Sequence, residues 1–193
     1  QYNSSMSFNS YDPNLSIYKV FSNIININDA IQKTQIPNLN IISACEDLAA
    51  AEYELADDDN RNYLLQSYIK GIENKYDYIF IDTAGIRKTH NKIETAGILM
   101  TKKSADLSTL TLYLVDDTVG FDEEDETILK NNEIDNFWII SNKIDLSSDP
   151  NPSVSNNCFK TIRLSILKNS GIDLLKNELS RIITHLNTLS PGF

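Results

Sequence analysis

The sequence predicts an α/β protein whose mostly parallel sheet is flanked by helices. Four runs rich in β-branched and aromatic residues recur along the chain: Tyr76–Asp82, Leu110–Asp116, Phe137–Ser141 and Thr161–Ser165. Stretches with helical spacing of apolar residues lie between and after them, and such alternation of strand and helix is what a parallel α/β sheet requires. A length of 193 residues with 41% apolar content supplies enough chain and enough core for one such domain.

The first residues are small and polar and close on the turn signal Asp12-Pro13-Asn14. From Leu15 onward Ile17, Val20, Phe21, Ile24 and Ile25 begin at helical spacing, and the Asn-rich run Asn23–Asp29 breaks it. Asn28-Asp29 then offers a cap for a short helix over Ala30–Lys33. Ile36-Pro37-Asn38 turns the chain into Leu39–Ser43, a short buried strand. Ala49–Glu73 reads as helix in one or two pieces, with Leu55, Leu64, Leu65, Tyr68, Ile69 and Ile72 on its apolar side. The acids between Glu46 and Asp59 have no base among them and form a solvated face. Tyr76–Asp82 is the clearest strand, apolar on both faces and so expected inside a parallel sheet. Asp122–Glu126 reads as the negatively charged first turn of a helix, favoured by the macrodipole. Trp138, beside Ile139 and Ile140, belongs to the core. Ser147–Asn157 reads as a loop, and Gly171–Leu186 as a final amphipathic helix.

With 17 Lys and Arg against 27 Asp and Glu, the formal charge is −10. Such a chain lacks the basic face that phosphate neutralisation demands, so direct nucleic-acid binding is not expected. Cys45 and Cys158 cannot frame a disulfide scaffold, and neither has a Cys or His at ligand spacing. His90 and His185 read as solvated, with no third ligand for a metal. No apolar run approaches the roughly 18 residues of a membrane span. The polar start QYNSSMSFNS is no signal sequence, and a reduced, cytoplasmic setting is expected. The chain opens at Gln1 rather than Met, which leaves room for a longer parent protein.

Asp82-Thr83-Ala84-Gly85 follows the clearest strand. An Asp at the carboxyl end of a parallel strand can hold Mg²⁺ through water, and a Gly just after it lets a backbone N–H approach a γ-phosphate. Asn142-Lys143-Ile144-Asp145 closes another strand. Its Asp carboxylate can accept from the ring N1–H and the exocyclic amine of guanine, its Asn can support the purine edge, and its Lys stem can lie along the ring face. Ser165 ends a third strand, where such a site places its last base-side loop. Asn and Asp also end strands for structural reasons alone. Three signals in order, each at a strand end, favour the nucleotide reading.

The stretch from Asp82 to about Leu186 resembles the G domain of the TrmE or MnmE tRNA-modification GTPases, a branch of the P-loop NTPases. DTAGIRKTHNKIETAGI is similar to that family's switch segment. The resemblance implies catalytic roles for Glu94, which would position the attacking water, and for the switch residue Arg87. It implies that Asp82 and Gly85 lie on the Mg²⁺ and γ-phosphate side, and that Asn142, Lys143 and Asp145 read guanine with Ser165 behind them. It further implies GTP, Mg²⁺ and K⁺ as ligands and a partner protein in tRNA modification. The family's SA[RK]TG loop is half kept, because Ile166, Leu167 and Lys168 follow Ser165. Its terminal Cys motif does not occur in Ser190-Pro191-Gly192-Phe193.

Tyr18–Asp82, with AIQKTQIPNLNIISACEDLAAAEYEL and KYDYIFID, resembles instead the ParA/Soj partitioning ATPases, in which Cys-Pro-Pro usually follows the Asp. The two resemblances meet at Ile81-Asp82, on the equivalent strand of two P-loop NTPase branches. That points to a chimera joined near Asp82 by recombination, assembly error or design. The expected organisation is a polar segment over 1–17, a ParA-like half over 18–82 and a TrmE-like half over 83–193, together one α/β domain.

Both families depend on G-x-x-x-x-G-K-[ST], whose backbone N–H groups and Lys cradle phosphates. The sequence contains none. The nearest string, Gly97–Ser104, puts Lys102 where the second Gly belongs, and a Cβ there obstructs close backbone approach. The expected fold is therefore of P-loop NTPase type with the phosphate-loop strand missing. Tyr78–Asp82 and Leu110–Asp116 would then either pair directly or leave a gap, and a gap would expose strand edges and favour self-association. The functional expectation is an incomplete guanine-nucleotide-binding domain, inactive alone as a GTPase. The alternatives are a ParA-like partitioning ATPase relative and a non-functional fusion product.

Overall fold

The computed structural model of the chain describes residues 7–8, 12–45, 47, 63–83 and 107–189, with side chains to Thr184. The chain divides into two units, residues 1–85 with 90–104, and residues 86–89 with 105–193.

In the first unit, Asp12 accepts from the Asn14 amide at 2.9 Å and starts the 3₁₀ turn Pro13–Leu15, which leads into α1 (Ile17–Phe21). The next helix begins earlier than the sequence suggested. α2 spans Ile27–Ala30, because Asn26 rather than Asn28 is its cap, with Oδ1 accepting from the Asn28 amide at 2.9 Å. A side chain that satisfies a first-turn N–H fixes where a helix starts. Gln32–Lys33 consequently becomes β1, antiparallel to β2 (Asn40–Ile41). The strand expected over Leu39–Ser43 is present only as these two residues, exposed at Asn40 and half-buried at Ile41. α3 (Leu64–Lys70) is the described part of the helix expected over 49–73; residues 48–62 lie outside the described residues. Val20, Ile27, Ala30 and Ile72 form the core here, with Tyr68 and Tyr76 packed on it. The Tyr68 hydroxyl lies 3.1 Å from both Val20 O and Asn23 Oδ1.

The second unit holds a four-stranded sheet in the order β3-β4-β6-β5. β3 is Thr111–Asp116, β4 Phe137–Asn142, β5 Ser153–Asn156 and β6 Lys160–Arg163. β3 pairs parallel with β4 and β4 parallel with β6, so that Asp116 stands level with Asn142 and Ser141 with Arg163. This is the mostly parallel α/β arrangement that the sequence predicts. β5 is the exception, an antiparallel edge strand inside the segment expected to be a loop. Ser153-Val154-Ser155-Asn156 carries one apolar residue, too few for periodicity to register, and folds back on β6.

α4 (Glu123–Asn131) starts at a capping box in which Asp122 accepts from the Glu124 and Asp125 amides and Asp125 accepts from the Asp122 amide. The Tyr113 hydroxyl donates to Asp125 at 2.7 Å and fastens this helix to the face of the sheet that also buries Val115 and Ile139. α5 (Ile172–Leu189) lays Ile172, Leu175, Leu179 and Ile182 against Trp138, Ile140, Ile162 and Leu164 on the other face. Trp138 is a core residue as expected, with the Lys160 ammonium 4.1 Å from its ring centroid. Among the described residues no helix is long and apolar enough to cross a membrane.

The run Tyr76–Asp82 does not form the expected strand. It adopts no regular structure, and Tyr78 and Phe80, 41% and 68% exposed, stack on each other with centroids 6.1 Å apart. Strand geometry is sustained by ladder hydrogen bonds to a neighbour. β-branched and aromatic composition fits a sheet but does not supply that neighbour.

Candidate functional site

The ends of β4 and β6 bring four of the sequence-predicted residues together. Asn142 closes β4, and Lys143 after it takes a left-handed conformation, φ 69° and ψ 32°, that reverses the chain into the 3₁₀ turn Ile144–Leu146. Ile144 is fully buried and pins that turn. Asn142 Oδ1 accepts from the Lys143 amide at 2.8 Å and from the Ile166 amide at 3.0 Å, so one side-chain oxygen joins the loops that follow two strands. Ser165, buried, donates its hydroxyl to Oδ1 of Asp145 and accepts from the Lys168 amide at 3.1 Å. Ser165 and Ser170 exchange backbone hydrogen bonds of 2.9 and 3.0 Å and close the loop between them. Gly171 then turns the chain into α5 with φ 78°. A Cβ there would lie 2.7 Å from Pro152 Cβ and 3.0 Å from Arg163 O, so only glycine fits.

The consequence for chemistry lies at Asp145. Its Oδ1 is oriented by a buried hydroxyl, while among the described residues Oδ2 accepts no hydrogen bond and no cation pairs with the carboxylate. A fixed carboxylate edge with open lone pairs is an acceptor for two adjacent N–H donors. Leu146 and Leu167 stand exposed, one on each of the two loops.

Lys143 does something the sequence did not suggest. Its ammonium reaches across to the neighbouring strand and sits 2.7 Å from Asp116 Oδ2. Asp116 also accepts from the hydroxyl and the amide of Thr118 at 2.7 and 3.0 Å. The Lys143 ammonium first, and then these Thr118 donors, hold the Asp116 carboxyl down at about 2.

Next to it, Asp117 receives the Arg163 guanidinium in a two-pronged pair, Nε to Oδ1 at 2.9 Å and Nη2 to Oδ2 at 2.8 Å, and accepts from the Ser141 hydroxyl at 2.7 Å. The guanidinium, then the Ser141 and Ser147 hydroxyls, keep Asp117 far below the ordinary carboxylate range. Asp117 in turn raises Arg163. Asp116, Asp117 and Arg163 were not among the residues that sequence reasoning singled out. The signals were an acidic pair ending one apolar run and a lone Arg inside another, but the strand register that makes them neighbours is written nowhere in either run.

The other predicted residues do not belong to the described part of the second unit. Asp82 lies in the first unit, on exposed irregular backbone. Gly85, Arg87, Glu94, His90 and the Gly97–Ser104 string lie outside the described residues, as does the His185 side chain. Among the described residues no group of three or more His, Cys, Asp or Glu side chains is placed to hold a metal ion.

Comparison with known proteins then places the chain. Residues 1–100, more than half of it, match the family model described as AAA domain. The chain belongs to the AAA domain family. The AAA domain match covers the stretch that carries the resemblance to partitioning ATPases. The chain is also similar to proteins named tRNA modification GTPase MnmE. It is 35% identical to that of Nitrosomonas europaea over 148 residues, 74% of this chain and 32% of the relative. It is 32% identical to that of Carboxydothermus hydrogenoformans over 119 residues, 60% of this chain and 25% of the relative. It is 29% identical to that of Pseudothermotoga lettingae over 124 residues, 62% of this chain and 28% of the relative. The chain thus spans about a third or less of the curated relatives it matches. A match covering 74% of the chain is longer than the stretch after Asp82 and includes that residue, as does the AAA domain match over residues 1–100. Together the two kinds of match mark a domain related to the P-loop NTPases.

Proposed function

We propose that the chain is an incomplete guanine-nucleotide-binding domain of the tRNA-modification GTPase type, inactive as a hydrolase on its own. The observation that carries this is the Asp145 carboxylate, oriented by the buried Ser165 hydroxyl and backed by Asn142 at the ends of two parallel strands. Guanine presents an N1–H and an N2 amine on one edge, and both donate to a carboxylate so placed. Adenine has neither donor there. Hydrogen bonds to a charged acceptor contribute roughly 1.5–3 kcal/mol each, so the pair is enough to discriminate between the bases. The similarity to MnmE proteins supports the same reading.

In this reading Glu94 and Arg87 take the catalytic roles that the resemblance gives them, with Gly85 at the γ-phosphate. Mg²⁺ is held by one or two protein carboxylates together with phosphate oxygens and water. The exposed Asp82 carboxylate is a donor of that kind and would hold the ion, which when bound would offset phosphate charge. Hydrolysis nevertheless needs the phosphates held in line, and positioning of that kind can be worth ~7–11 kcal/mol of barrier. The sequence has no G-x-x-x-x-G-K-[ST] to do it. Base contacts alone leave binding on the order of millimolar.

The test is titration of the purified chain with GTP and with ATP, followed by turnover with Mg²⁺ and K⁺ present and Asp145→Asn as control. Weak GTP binding, weaker still in Asp145→Asn, and no turnover are expected. Equal binding of the two nucleotides would overturn the guanine reading. Turnover lost in Asp145→Asn would overturn the inactivity.

The AAA domain match over residues 1–100 favours a second reading, a partitioning ATPase relative that relies on a partner for DNA affinity. Preference for ATP in the same titration would select it. What supports a join of two NTPase branches near Asp82 is that the two kinds of match differ, an AAA domain model over residues 1–100 and MnmE proteins over up to 74% of the chain.

A further inference from the structure

We propose that Arg163 is a positioning residue for guanine recognition, clamping the loop that carries Asp145; the proposal rests on the guanine reading of that site. The turn Ile144–Leu146 is anchored on its amino side by buried Ile144, but the segment that follows, 147–151, has no buried apolar side chain. Its own bonds are local, from the Ser147 hydroxyl to Ile144 O and Asp149 O and from Asn151 to Asp149 Oδ1, and the guanidinium ties it to the sheet. Arg163 Nη2 donates to Asp149 O at 2.7 Å and to Ser147 Oγ at 3.3 Å, and Nη1 donates to Asp149 Oδ2 at 3.1 Å and to Asn151 O at 3.3 Å. Ser147, two residues after Asp145, is also tied to the turn itself, its amide donating to Ile144 O at 3.1 Å. The other edge of the same guanidinium grips Asp117 at the end of β3. Asp117 in turn accepts from Ser141, the residue before Asn142.

One planar group with five N–H donors thus joins three segments, the end of β3, the base-side loop and its own strand β6. No other side chain type can do this: a Lys ammonium is a point charge and cannot engage both oxygens of Asp117 while bonding two loop carbonyls. Asp117 is only 9% exposed, so the pair also has a purely structural use, neutralising a nearly buried carboxylate. The two roles make different predictions. If Arg163 only compensates charge, removing both partners together is harmless to recognition, because apolar replacement of a buried pair is often neutral. If Arg163 positions the loop, the same double change frees Ser147–Asn151 and spoils the Asp145 edge.

The experiment titrates GTP and ATP into full chains, following backbone amide NMR shifts, for wild type, Asp117→Asn, the double variant Asp117→Leu/Arg163→Met and Arg163→Lys. The expected result is a wild-type preference for GTP that Asp117→Asn keeps, since the loop bonds of Arg163 survive. The double variant and Arg163→Lys should raise the GTP Kd at least fivefold, with ATP binding unchanged. A double variant that holds the wild-type GTP preference within twofold overturns the positioning role and leaves the guanine reading standing. Should that variant not fold, Arg163→Lys decides by the same criterion. A wild type that does not distinguish GTP from ATP overturns the guanine reading, and this proposal with it.

Discussion

The Lys143 ammonium bridges from the end of β4 to the end of β3 and rests 2.7 Å from Oδ2 of Asp116. The contact sits at the rim of the sheet, where solvent screens it, and such pairs add little to stability. Its value is as a reporter. The Asp116 carboxyl is lowered from 3.8 to about 2, with the Lys143 ammonium as the largest cause. A carboxyl depressed in the folded state contributes stability above its unfolded value and loses that contribution as pH falls through the folded one. The window is therefore pH 3.8 down to about 2. Carboxyl NMR should find the Asp116 midpoint at about 2 in the wild type and moved toward 3.8 in Lys143→Ala. An unmoved midpoint would show that the Thr118 donors alone set it.

Ser165→Ala removes both the donor that orients Asp145 and the acceptor of the Lys168 amide. A buried hydrogen bond of this kind is worth about 1 kcal/mol, so urea unfolding should show a loss of that order. GTP affinity should fall several-fold while ATP binding stays as it was. Equal losses for both nucleotides would mean that Ser165 supports the loop without serving the base.

Two glycines provide an internally controlled comparison. Gly120 and Gly171 both have positive φ, 85° and 78°, but a Cβ at Gly120 meets nothing within 4 Å, whereas at Gly171 it meets Pro152, Arg163 and Leu164. Gly120→Ala should cost about 1–2 kcal/mol, the conformational term alone. Gly171→Ala adds overpacking of roughly 1–3 kcal/mol and should be the more damaging in chemical denaturation. Equal losses would count against the close approach at Gly171.

Tyr113→Phe keeps the ring but leaves the buried Asp125 carboxylate without its 2.7 Å hydroxyl donor. Leaving a buried acceptor unsatisfied costs roughly 1–3 kcal/mol. Urea midpoints for this variant and for Asp125→Asn should both drop, and a silent Tyr113→Phe would dissociate the phenol from the anchoring of α4.

What could be read from the sequence follows a physical line. β3, β4, β6 and α5 were readable because each buries a continuous apolar run or stripe. Asp122–Glu126 declared α4 through charge at a helix start. β5 was hidden because an edge strand needs few apolar residues, and α2 was displaced because three of the residues from Asn26 to Asp29 could serve as caps and only geometry chooses among them. Tyr76–Asp82 misled for a different reason: its residues satisfy every local preference of a strand, and pairing is not a local property. At the candidate site, Asn142, Lys143, Asp145 and Ser165 were singled out by side-chain chemistry in sequence order, and the structure brings them together. The Asp116–Lys143 and Asp117–Arg163 pairs were not, because they join residues whose closeness depends on register.

Every strand of the four-stranded sheet comes from the span between Thr111 and Arg163. Closing a loop becomes more costly only with the logarithm of its length, about 0.6 kcal/mol per doubling, and here the loops are short to begin with. Its parallel pairings join residues 22 to 26 positions apart, so the sheet is specified by its own stretch of sequence and not by distant chain. An exchange of sequence anywhere upstream of Thr111 leaves all of its pairings intact. The sheet's register and the loops at its carboxyl end are therefore inherited together, as one stretch of sequence.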